Sequence, residues 1–159
     1  IDRGKEQVRL LNRLAHSVDG PDGDLDAGEV VALAVALGRR SARLRKVTLD
    51  DPAADGPLAL HGRAFDLLHV LQRCLGLALA QAKPGGRVEV RAAREEGGVR
   101  VRLEIGECVG VGDEAWKAAA LEASAAVLGL GGRLDTPAEP GQPGCVSLWR
   151  PGAPGAGRA

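Results

Sequence analysis

The chain has 159 residues and a mass of 16.4 kDa, and its 21 Lys+Arg balance 21 Asp+Glu for a formal net charge of 0. That length builds one domain with its own core, and the absence of a basic excess argues against a dedicated nucleic-acid binder or a module drawn to anionic surfaces. Hydrophobic residues are 45% and aromatics only 2%, so the composition is globular, the core must come from Leu, Val and Ala, and little remains to stack bases.

In chain order, residues 4–18 read as a helix, with Val8, Leu11, Leu14, Ala15 and Val18 recurring at helical spacing. The turn formers DGPDGDLDAG (19–28) predict a loop, from which Asp24 or Asp26 caps the next helix, with Glu29 placed as in a capping box. That helix runs to about Arg45, its apolar side formed by Val30, Val31, Leu33, Ala34, Leu37 and Leu44, and its basic end suits the helix dipole. KVTLD alternates as a short strand, DPAADGP (51–57) is a loop, and LAL (58–60) is a further short strand. Residues 63–82 form a long apolar helix through Phe65, Leu68, Leu71, Leu75 and Leu79, ended by KPGG. Two alternating segments flank EEGG over residues 87–105 and predict a hairpin. A helix over 113–129 and strands in GGRLDT and CVSLW follow, and the tail 152–159 lacks hydrophobic residues and reads as disordered. Hairpins alternating with helices give an α+β fold, a two-layer sandwich whose mixed sheet carries helices on one face and is preceded by a helix.

The three cysteines, Cys74, Cys108 and Cys145, are odd in number and form no CxxC, so neither a disulfide framework nor a zinc site is indicated. Cys74 and Cys145 lie in apolar patterns and read as small core residues. The start is charged and is no signal peptide, and no apolar run reaches the roughly 20 residues that span a bilayer, so a cytoplasmic location with no membrane insertion is expected. The chain has no Met and begins at Ile1, and it therefore reads as a piece of a longer polypeptide. Asp19, Asp22, Asp24 and Asp26 lack the closing Glu of a calcium loop and read as a solvated turn. His16, His61 and His69 show no metal spacing and no catalytic pairing.

Three stretches carry a family resemblance: LHGRAFDLLHVLQRCLGLALAQAKPGGRVEVRAA, VRVRLEIGECVGVG and LGLGGRLDTPAEPGQPGCVSLWRPG. In this order they resemble the N-box helix with its hairpin, the strand into the first glycine box, and the closing strands of the catalytic, ATP-binding domain of bacterial histidine kinases (the GHKL, or Bergerat, fold). The resemblance divides the chain into the end of a dimerisation-type helix and linker (1–24), the ATPase-fold domain (25–151) and the tail (152–159).

Against that pattern the chain departs at each motif. The family's two N-box Asn, which hold Mg²⁺ and phosphates, are replaced by Arg73 and Leu77. Leu77 has no oxygen for a hard cation, and Arg73 repels Mg²⁺ although it could meet a phosphate; its simpler reading is a surface arginine. The adenine-binding Asp of the first glycine box becomes Glu107, whose simpler reading is a solvated carboxylate at a strand end. Val109 and Val111 fall on its glycines, while Gly110 and Gly112 sit one residue away. Fourteen positions separate Glu107 from Leu121, without Phe or GxG, so no ATP lid is read there. Gly144-Cys145 stands where the family often has Gly-Thr.

A kept scaffold with lost ligand positions implies a degenerate histidine-kinase-like domain acting as a binding or regulatory module in two-component signalling, with Glu107, Gly110 and Gly112 as vestigial nucleotide positions and no catalytic or metal residue. No cofactor is expected, with ATP and Mg²⁺ as the alternative. The expected partners are a receiver domain, another kinase, or a second copy through the helix at 4–18. The alternatives are an active kinase domain with an atypical ATP pocket, a histidine phosphotransferase with a dead ATPase-like domain, and an interaction domain unrelated to phosphotransfer.

Overall fold

The computed structural model of the chain describes residues 5, 8, 9, 23–109, 114–136 and 144–152. Lys5, Val8 and Arg9 are helical, and the rest of the expected first helix, His16 included, lies outside the described residues. The order that follows is β1 (Gly23–Asp26), α1 (Ala27–Leu44), β2 (Thr48–Leu49), β3 (Ala53–Ala54), β4 (Ala59–Gly62), α2 (Ala64–Gln81), β5 (Arg87–Glu95), β6 (Gly98–Ile105), α3 (Glu114–Gly129), β7 (Arg133–Asp135) and β8 (Gly144–Pro151). The main sheet runs β2-β5-β6-β8-β7, with β3 also on β5. The short strands β2 and β3 pair with β5 in parallel, and the remaining pairs are antiparallel, so the sheet is mixed as expected.

The β5–β6 hairpin follows from alternation. Val88, Val90 and Ala92 on one strand and Val99, Val101, Leu103 and Ile105 on the other are buried beneath the helices. Glu89, Arg91, Arg102 and Glu104 take the outer face, where like charges lie directly opposite and pair diagonally, as in Arg91 with Glu104 at 3.8 Å. The strands join at Glu96 and Gly97, both left-handed with φ of 54° and 76°, as a two-residue hairpin turn of this twist requires.

Two loops expected from turn formers contain strands. Gly23–Asp26 pairs antiparallel with Ala59–Gly62 as a separate two-stranded sheet. Its one apolar residue, Leu25, packs on the core, too short a pattern to stand out among aspartates and glycines. Ala53–Ala54 gains strand geometry by pairing with Arg91–Ala92, a long-range contact. Asp26 does cap α1: its Oδ1 accepts from Gly28 N at 2.9 Å and from Leu58 N at 3.2 Å, so one carboxylate fixes both the helix start and the small sheet. Arg150 of β8 ties that sheet to the main one by donating from Nη2 to His61 O at 2.9 Å.

The helices cover one face of the sheet, and Leu33, Leu67, Leu71, Leu75, Leu103 and Leu148 fill the space between. Leu37, Leu44 and Phe65, expected on apolar helix sides, are exposed; Leu44 and Phe65 sit in end turns, beyond the reach of the layer. Among the described residues no helix is long and apolar enough to cross a membrane.

Cys74 and Cys108 are both fully buried, and Cys145, expected in the core, is only half-buried. Burial pushes the Cys74 thiol from 9.0 up to about 12. The folded state therefore keeps a proton that the unfolded chain sheds above about pH 9. The stability this contributes is complete below that pH and is lost as pH rises towards 12, at no more than about 1.4 kcal/mol per pH unit. Urea unfolding at pH 8 and pH 10.5 is expected to show a loss that is smaller in Cys74→Ala. Equal losses in both proteins would contradict it.

Candidate functional site

Helix α2 carries the positions that matter. Arg73 and Leu77 are one turn apart and so share a face, and Gln81 follows after another turn. Helix α3 packs antiparallel on α2, and it supplies the partners of that face. Arg73 donates from Nη1 to Glu122 Oε2 at 3.1 Å and from Nε to His69 Nε2 at 3.0 Å. The second bond uses the imidazole nitrogen as its acceptor. Leu77 is 3% exposed, and Trp116 reaches from α3 to donate from Nε1 to its carbonyl at 3.3 Å. The two helix positions are thus engaged by Glu122 and Trp116 from one neighbouring element. An oxygen set for a hard cation is not formed there: one side chain is a guanidinium and the other is aliphatic. Among the described residues, no group of three His, Cys, Asp or Glu is arranged to hold a metal ion.

The segment after β6 is stitched to the end of α2. Lys83 N donates to Glu107 O at 3.2 Å, Val109 N donates to Gln81 O at 2.8 Å, and Ala82 and Cys108 form an isolated antiparallel bridge. This register buries Cys108 and leaves Glu107 outside, its carboxylate 3.3 Å from Lys83 Nζ with both side chains half-exposed. Such a pair contributes at most about 1 kcal/mol. Gly110 and Gly112 lie outside the described residues. Burial raises the Cys108 thiol, and at Cys145 burial first and the nearby Glu104 second do the same, so neither is primed as a thiolate.

With this geometry in place, solved structures similar to the chain can be set beside it. The catalytic domain of histidine kinase ThkA matches with a TM-score of 0.66 at 11% identity, covering 85% of this chain and 98% of that one. The mycobacterial sensor histidine kinase MprB matches at 0.62 and 20% identity, over 82% of this chain and 97% of that one. The Acinetobacter baumannii histidine kinase AdeS matches at 0.65 and 14% identity, over 92% and 75%. The chain has the fold of a histidine kinase catalytic domain. No family model matches the sequence, and no curated protein does.

Within this histidine-kinase fold, sequence reasoning reached Arg73, Leu77 and Glu107 but not their partners. Glu122 and Trp116 carry no local signature; only the packing of α3 brings them to α2. Gln81 had a readable signal, as the one long polar side chain in the apolar run from Leu75 to Ala82. It is 1% exposed, and neither its Nε2 nor its Oε1 has a hydrogen-bond partner among the described residues. His61 pairs with Asp24 at 3.4 Å on the small sheet, away from this face. A groove of about 460 Å³ opens between α2 and α3, lined by Phe65, His69 and Val70 on one side and Ala126, Gly129 and Leu130 on the other.

Proposed function

We propose that this chain is a degenerate histidine-kinase-like domain that serves as a binding or regulatory module in two-component signalling, with nucleotide binding weak or lost. The observation that carries the reading is the engagement of α2 by α3: Glu122 holds Arg73 and Trp116 covers Leu77. A phosphate approaching Arg73 competes with a carboxylate already bonded to it. Mg²⁺ at the same face meets a cation and an aliphatic side chain in place of oxygen ligands. Glu107 is spent on Lys83 at the surface. The partner in this reading is a receiver domain or a second kinase.

Equilibrium dialysis against labelled ATP with Mg²⁺ is expected to leave no excess nucleotide on the protein, and retention that saturates in the micromolar range would overturn the loss of nucleotide binding.

One observation favours the alternative, a working kinase domain with an atypical pocket. Buried amides pair with something, and Gln81 has both a donor and an acceptor to offer at the end of α2. A nucleotide base would use both.

A further inference from the structure

Helix α3 carries apolar side chains on its outward side as well as its inward one, with Glu114, Lys117 and Glu122 among them. Its inward face, Ala123 and Val127 with Trp116 and Ala120, packs on the core. Its outward face carries Ala118, Leu121, Ala125 and Leu128, with Leu121 73% and Leu128 67% exposed. Two large apolar side chains left exposed on one helix face mark a contact surface. These four residues recur at spacings of three, four and three, the seam of a helix–helix contact, and they alternate small with large.

We propose that this face is covered by the same face of a second copy of the chain, with the two α3 helices antiparallel about a two-fold axis at the level of Ala123. In that register Leu121 lies over the partner's Ala125 and Leu128 over the partner's Ala118, and the symmetry repeats both contacts. Small meets large at every step, as a self-complementary interface demands.

The charges agree. Helix α3 has Glu114 in its first turn and no basic residue in its last, so its carboxyl end lacks a cation from its own helix. The same register sets Lys117, half-exposed and bonded to Glu114 at 3.2 Å, at the carboxyl end of the partner's α3, where a positive charge is favoured. Glu122 already has Arg73 as its counter-ion, so no unpaired carboxylate is carried into the contact. With a net charge of 0, two copies meet no long-range repulsion.

The contact is modest in size. A 16-residue helix is about 24 Å long, and one such contact falls below the ~800 Å² per partner of a standard interface. The dimer is therefore weak, with dissociation in the micromolar range.

Sedimentation velocity of the full chain, over concentrations from about 1 to about 200 μM, tests this. A monomer–dimer equilibrium is expected, and Leu121→Glu should weaken it at least about tenfold while leaving the circular dichroism spectrum unchanged. Leu121→Ala and Ala125→Leu should each weaken it, and the double variant, which exchanges small for large on both copies, should recover to within about threefold of the parent. A chain that stays monomeric throughout would overturn the proposal. So would a dimer that survives Leu121→Glu, including one lost instead in Leu11→Glu, which would place self-association in residues 4–18. None of these outcomes depends on whether nucleotide binds.

Discussion

Gly132→Ala is expected to lower the thermal midpoint by about 10 °C, corresponding to about 3 kcal/mol for a domain of this size. Gly132 links the end of α3 to β7 and lies against β8. A Cβ there would sit 2.2 Å from the backbone oxygen of Trp149 and 3.1 Å from Val127 Cγ1. The first neighbour is main chain in the middle of β8, held between β6 and β7, so it cannot yield as a flexible side chain would. Relief requires α3 to move away from the sheet, and with it the Trp116 and Glu122 contacts on α2. The variant therefore tests the packing of α3 as well as the strand. A midpoint within about 2 °C of the parent would mean that α3 is held more loosely than described.

Gln81→Met is expected to act in the opposite direction, raising stability by about 1–2 kcal/mol and the midpoint by about 5 °C. A buried amide without partners among the described residues loses its hydrogen bonds to water on folding and regains none there. Methionine keeps an unbranched chain of similar length and removes both polar atoms. The same variant separates the two functional readings. If the amide serves a nucleotide base, ATP with Mg²⁺ stabilises the parent and fails to stabilise Gln81→Met. If the amide is only an inherited cost, neither protein responds to ATP.

Much of the architecture is written locally. The β5–β6 hairpin is specified by strict alternation and a turn of Glu and Gly, and α1 by Asp26 at its cap, so both follow from neighbouring residues. The strands β1 and β3 are not local: Leu25 alone marks the first, and two alanines form the second only because Arg91 and Ala92 lie alongside. Turn chemistry dominates any reading of those stretches until the pairing is known. The site divides the same way. The replacements at Arg73, Leu77 and Glu107 are visible because a family pattern assigns each position a role. Their present partners, Glu122 some 49 residues away and Trp116 some 39, are products of tertiary packing and leave no spacing to read. The exposed Leu121 and Leu128 are hard to read for a different reason: alanines fill both sides of α3, so helical spacing alone does not separate them from the buried Ala123 and Val127.

Under the proposed function, the α2 face engaged by Glu122 and Trp116 of α3 does not take ATP. Isothermal titration calorimetry of the full chain with ATP, with and without Mg²⁺, tests it most directly. No saturable heat is expected up to about 1 mM nucleotide under either condition. Saturable binding in the micromolar range that strengthens with Mg²⁺ would contradict it, because neither Arg73 nor Leu77 offers the metal a ligand.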